Sequence, residues 1–172
     1  TFTLLFFGTM FYGKGFDILV KATEYIDDSI ELIVAGDPKT INYDYSLKKL
    51  LKNPKIHFFG KFINDGDVSK YFSASDLVVL PYRKIVEYGS SGVFLLSMLH
   101  RKPVLCPNIT PFKEIINKYK VGSCFEVENA FSLAETATNM KMNYNNIIKS
   151  ARFNDYKNSI PDWSEYSKLI IG

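Results

Sequence analysis

The chain has 172 residues, 47% of them hydrophobic, enough to build one domain around a substantial core. Its 21 Lys and Arg against 18 Asp and Glu leave a formal charge of only +3, too small and too scattered for a nucleic-acid surface; the densest basic cluster, Lys48, Lys49 and Lys52, reads as a solvated helix face. No run approaches the roughly 18 apolar residues of a membrane span and no signal peptide is visible, so the expectation is a cytoplasmic domain without a span of its own.

In chain order, the first apolar run, Thr3 to Phe7, predicts a buried strand that ends at Gly8. Lys14 and Gly15 follow, and Phe16, Leu19, Val20 and Thr23 then recur at helical spacing through Tyr25. A second strand, Glu31 to Ala35, runs into Gly36-Asp37-Pro38; Asp37 reads as turn chemistry, with ligand contact as the alternative. A helix over Tyr45–Leu51 precedes a third strand, Ile56 to Phe59, which is closed by Gly60. Asn64 and Asp65 are suited to cap a helix continuing over Val68–Ser73.

The fourth strand, Leu77 to Leu80, leads through Pro81 and Tyr82 to the loop Glu87-Tyr88-Gly89-Ser90-Ser91-Gly92, and a helix follows over Val93–Leu99. Strands at Pro103–Cys106 and Ser123–Val127 flank a helix at Phe112–Tyr119, and from Phe131 the pattern is helical, first to Met142 and finally in a short helix starting at Pro161. Strictly alternating strands and helices predict an α/β fold: a doubly wound, Rossmann-like six-stranded parallel sheet with flanking helices and right-handed crossovers. With the common strand order 3-2-1-4-5-6, the winding reverses between strands one and four, which is where open sheets bind ligands. The chain enters its first strand at once, which predicts a single domain, residues 1–172, excised from a longer two-domain protein.

Both glycine-bearing loops belong to the strands at that switch point. Gly8 has no Cβ to keep a phosphate or sugar from the main chain, and Lys14 adds an ammonium beside the start of the next helix. A charge-assisted hydrogen bond contributes about 1.5–3 kcal/mol and a helix terminus about 0.3–1 kcal/mol, so the cation dominates this half. The alternative is a tight turn followed by a solvated lysine. In the second loop, Ser90, Ser91, Gly92 and Val93 offer hydroxyl and N–H groups that either cap the helix or hold an anion, or do one in the free state and the other when loaded. Together the loops describe a diphosphate site.

Other residues carry less. His57 and His100 lack a partner at nucleophile or metal spacing, and Cys106 and Cys124 read as buried thiols. Tyr82, Tyr88 and Phe62 stand at strand ends beside the crevice, where they either stack on a base or sugar or simply pack.

The ordered set Phe6-Phe7-Gly8 with Lys14-Gly15 and Asp17, Leu32 to Asp37, Ile56 to Gly60, Ser75 to Tyr82, Ser91-Gly92-Val93, Lys102-Pro103-Val104 and Glu114-Ile115-Ile116 runs from the first strand through the helix after the fifth. In this order and spacing it resembles the C-terminal, donor-binding domain of retaining GT-B glycosyltransferases of the group 1 family. The resemblance implies a hexosyltransferase acting in surface polysaccharide synthesis, with a nucleotide-diphosphate sugar as donor and no separate cofactor. Gly8 and Lys14 would approach the phosphates, Ser91, Gly92 and Val93 would offer N–H groups, and Lys61 or Phe62 would border the base. No metal is expected, because lysine, serines and helix termini can meet the charge of the departing diphosphate. The acceptor would belong to an N-terminal domain of the same parent chain, which is also the part through which membrane association would arise.

Three positions depart from the family pattern. Thr9 stands where an arginine usually follows the first glycine, and losing one charged contact costs about tenfold to a hundredfold in donor affinity. Tyr88 and Leu96 stand where the family carries two glutamates, the second of which holds the ribose; Glu87, one position from the first, is the remaining acidic residue for a catalytic role, with a solvated carboxylate as the alternative. These departures leave two other readings open, a degenerate binding or partner domain and a sugar-nucleotide epimerase.

Overall fold

A computed structural model describes residues 1–38, 48, 52–84 and 91–160. Of the helix expected over 45–51 only Lys48 is described, in helical conformation; the helix expected from Pro161, and Glu87, Tyr88 and Ser90, lie outside the described residues.

Six parallel strands form one sheet in the order β3-β2-β1-β4-β5-β6, as the alternation predicts. They are β1 (Phe2–Phe7), β2 (Ile30–Ala35), β3 (Ile56–Phe59), β4 (Leu77–Val79), β5 (Val104–Pro107) and β6 (Gly122–Phe125). The helices are α1 (Phe16–Ala22), α2 (Asp65–Ser73), α3 (Gly92–Leu99), α4 (Phe112–Tyr119), α5 (Ala130–Met142), α6 (Tyr144–Ser150) and α7 (Phe153–Asn158). At the switch point Leu4 pairs with Leu77 and Leu5 with Val78.

The strands are apolar at almost every position because both faces of the sheet are covered. Successive side chains point to opposite faces, so each strand divides between two cores. Leu5, Val78, Leu80, Val104 and Cys106 pack with Phe72, Phe94, Phe112 and Ile116 of α2, α3 and α4. Leu4, Phe6, Leu77, Val79 and Leu105 pack with Phe16, Leu19, Leu133 and Ala137 of α1 and α5. The chain therefore leaves β1 toward one face and β4 toward the other, which opens the crevice between them.

Differences from expectation are local. α1 stops at Ala22, where the Thr23 hydroxyl donates to the Val20 carbonyl at 2.6 Å and competes with continuation of the helix. Asn64 occupies the N-cap position of α2 without a side-chain capping bond; its backbone carbonyl instead accepts from the Asp67 N–H at 2.8 Å. Of the two cysteines only Cys106 is fully buried; Cys124, its register partner on β6, is half-buried, with the sulfur atoms 3.9 Å apart. No helix among the described residues is long and apolar enough to cross a membrane.

Candidate functional site

The loop after β1 is built by glycines that let three segments touch. Gly8 has φ +100, and a Cβ on it would stand 3.4 Å from Cγ2 of Val93, so the end of β1 lies directly against the start of α3. A Cβ on Gly15, at φ +63, would lie 1.8 Å from the Pro81 carbonyl oxygen, so the loop is seated on the end of β4. The end of β1, the start of α3 and the segment after β4 thus converge.

What this loop presents differs from expectation. Gly8 N–H donates to the Ala35 carbonyl at 2.9 Å, Met10 N–H to the Asp37 carbonyl at 2.9 Å, Lys14 N–H to Phe11 at 2.9 Å and Gly15 N–H to Tyr12 at 3.0 Å. The first two bonds tie the loop to the end of β2 and the residues after it, where the Asp37 carbonyl is the acceptor for Met10, and the last two close turns. The loop's principal offering to an anion is the Lys14 ammonium.

That ammonium has its hydrogen-bond partner on the segment after β4. It reaches across the crevice to donate to the Tyr82 hydroxyl, with Nζ 4.3 Å from the centroid of the same ring. Burial pushes its pKa down to about 8, because a charged amine loses hydration there. Tyr82 itself is 1% exposed and meets Phe112 edge-on at 5.8 Å, so its ring is core and is not available for stacking on a base. Its hydroxyl lies 2.9 Å from Ser91 Oγ.

On the other side of the crevice, Ser91 is the N-cap of α3, its Oγ accepting from Phe94 N–H at 3.3 Å. The N–H groups of Gly92 and Val93 come before the first intrahelical acceptor and carry the positive end of the helix dipole. Among the described residues, and apart from its chain neighbours and the helix's own backbone, nothing lies within 4 Å of where a Gly92 Cβ would stand. Leu96, one turn along, is buried in the core with no carboxylate to offer a ribose, and Thr9 is exposed. Phe62, beyond the edge strand β3, is 69% exposed and keeps its face open.

Sequence reasoning missed Arg83. Its guanidinium is buried and forms a fork on Asp17, Nη1 to Oδ1 at 2.8 Å and Nη2 to Oδ2 at 2.6 Å. Nη1 also donates to the Tyr12 carbonyl at 2.9 Å, the Tyr12 ring covers the guanidinium at 4.0 Å, and Nε lies 3.5 Å from a Glu128 oxygen. Burial acts to raise the Asp17 carboxyl, but the hydrogen bond and charge of Arg83 override it and hold the pKa below the usual carboxylate value. Arg83 therefore clamps the loop that carries Lys14. The available signal was an arginine at a strand end together with an aspartate in the first turn of α1, 66 residues apart.

Among the described residues no group of three or more His, Cys, Asp or Glu is placed to hold a metal ion. His57 Nε2 on the edge strand β3 lies 2.9 Å from a Glu31 carboxylate oxygen on β2, both side chains exposed, and His100 stacks on Phe72. Among the described residues, the ends of β1 and β4 bring together the Lys14 ammonium, the capping Ser91 hydroxyl and the start of α3, groups whose charge and dipole suit an anion.

The same fold occurs in HepE of Anabaena, whose structure in complex with UDP-glucose superposes with a TM-score of 0.77 at 20% identity over 98% of this chain and 47% of that one. The C-terminal domain of the LpcC group 1 glycosyl transferase of Francisella tularensis superposes at 0.72, with 18% identity, 92% of this chain and 85% of that one. Sucrose-phosphate synthase of Thermosynechococcus elongatus gives 0.74, with 17% identity, 98% of this chain and 43% of that one. The chain thus spans about half the length of HepE. No curated protein matches the sequence. Residues 1–143 match the family described as glycosyl transferases group 1, and the chain belongs to that family.

Proposed function

We propose that this chain is the donor-binding domain of a retaining GT-B hexosyltransferase, which takes a sugar from a nucleotide diphosphate and passes it to a glycan or lipid-linked glycan of surface polysaccharide. The observation that carries the reading is the meeting of Lys14 and the start of α3 across the β1–β4 switch point. Negative charge develops on the diphosphate as the bond from the anomeric carbon to oxygen breaks. Preorganised donors at that position lower the barrier, because they need no rearrangement at the moment of reaction.

The individual roles follow from position. Lys14 neutralises phosphate oxygens, Ser91 with the N–H groups of Gly92 and Val93 binds them from α3, Gly8 lets the donor approach β1, and Phe62 borders the base. The UDP-glucose in HepE supports a UDP-hexose as the donor class. The acceptor and any group acting on its hydroxyl belong to an N-terminal domain of the parent chain.

Calorimetric titration with UDP, GDP and ADP tests this reading. One nucleotide should saturate the chain, and Lys14→Ala should weaken it roughly tenfold or more, the loss of one charged hydrogen bond. The competing reading, a domain that keeps the fold without the donor, is favoured by the buried Leu96 and by Thr9. It predicts no binding up to millimolar nucleotide by a chain that still unfolds cooperatively.

A further inference from the structure

We propose that Tyr82 is a positioning residue for the diphosphate: its hydroxyl links the Lys14 ammonium to the Ser91 hydroxyl and turns the Ser91 proton toward the crevice. The inference rests on the diphosphate reading above and adds to it a group that never touches the ligand.

An ammonium can only donate hydrogen bonds, so the Tyr82 oxygen is the acceptor in its contact with Lys14. The phenolic proton then has Ser91 Oγ within reach, at 2.9 Å. Ser91 Oγ also accepts from Phe94 N–H at 3.3 Å. With the phenol donating to it, both lone pairs of Ser91 Oγ are engaged and the hydroxyl has its own proton left to donate. The positive charge at one end of the chain thereby makes the serine at the other end a donor, the polarity that an anion between the loops requires.

Tyr82 is held for this role. Lys14 covers one side of its ring, Phe112 meets the ring edge-on at 5.8 Å, and the residue is 1% exposed, so the phenol cannot swing into solvent. It also stands on the segment between Pro81, on which Gly15 is seated, and Arg83, which clamps Asp17. Among the described residues, the neighbouring charges are engaged with one another, Arg83 with Asp17 and with Glu128, and the Tyr82 hydroxyl is the polar atom that Lys14 meets beyond β4. One side chain therefore ties together the two halves of the site, which the fold sends to opposite faces of the sheet.

The test uses Tyr82→Phe, Ser91→Ala, their double variant and Lys14→Ala in the whole chain, each checked for cooperative unfolding. The Lys14 side-chain carbon resonance, identified by its loss in Lys14→Ala, is titrated by NMR from about pH 6 to about pH 11 to span the lysine range. Inorganic pyrophosphate, UDP, GDP and ADP are titrated by calorimetry. Tyr82→Phe should lower the Lys14 midpoint, since the oxygen that favours the ammonium is gone. It should also weaken the bound diphosphate about three- to tenfold, the worth of one hydrogen bond. In the Ser91→Ala background the same change should cost less, because the two groups act as one unit.

An unchanged midpoint, or unchanged affinity in Tyr82→Phe while Lys14→Ala loses tenfold, overturns the role of Tyr82 and leaves the donor site standing. A shifted midpoint in a chain that binds none of the four probes overturns the donor-site reading, and with it the role of Tyr82.

Discussion

The loop after β1 and the start of α3 form the two walls of one crevice and are built on opposite plans. The loop turns the amides of Gly8, Met10, Lys14 and Gly15 inward and presents a cation, and it is held from outside by Pro81 and Arg83. The helix start carries main-chain N–H groups that no described residue crowds at Gly92, and it is held by its own capping serine. A helix supplies donors by its geometry alone, whereas an irregular loop must close its own amides to keep a shape. The loop wall should therefore fail by losing its seat, and the helix wall by being filled.

The largest effect should come from Gly15→Ala. Its methyl would meet the Pro81 oxygen at 1.8 Å in a left-handed residue, so the loop must lift, at a cost of about 3 kcal/mol in urea unfolding together with loss of diphosphate binding. Arg83→Ala should come next, at about 2 kcal/mol, because a buried fork on a carboxylate is removed while its partners remain. The Asp17 pKa is depressed in the folded chain, so this contribution is present above the unfolded value of about 4 and is lost as pH falls through the folded one. The stability gap between wild type and Arg83→Ala should therefore narrow on acidification below about pH 4.

Lys14 separates binding from stability by pH. Its folded pKa of about 8 is below the ordinary lysine value, so the ammonium that an anion requires is lost as pH rises through about 8, and affinity should fall toward that of Lys14→Ala. Over the same range the unfolded chain still binds the proton that the folded chain releases, so stability should rise with pH up to about 10.5. Calorimetry and thermal unfolding on one set of buffers check the two opposite signs. The smallest effect should come from Gly92→Ala, with stability unchanged within about 0.5 kcal/mol because nothing described faces the new methyl. Diphosphate affinity should fall about threefold as the methyl enters the ligand's space. Loss of stability there would show that α3 is packed rather than open.

Most of the fold was legible in the chain. Short apolar runs such as Leu32-Ile33-Val34-Ala35 and Leu77-Val78-Val79, each followed by helical spacing, imply a parallel sheet covered on both faces, and Gly8 and Gly15 mark where the chain turns. These signals act within a few residues, through dihedral preference and the burial period, so a single sequence carries them. The choice of partners is not local. Tyr82 reads as a crevice aromatic yet is core, because the start of α4 brings Phe112 to its edge. Lys14 finds its partner Tyr82 across 68 residues, and Arg83 finds Asp17 across 66. The sequence by itself determined the sheet, its winding and the two loops that meet at the switch point. Only the tertiary structure decided which hydrogen-bonding groups in those loops face a ligand and which satisfy one another, because that depends on distances between segments that no local pattern records.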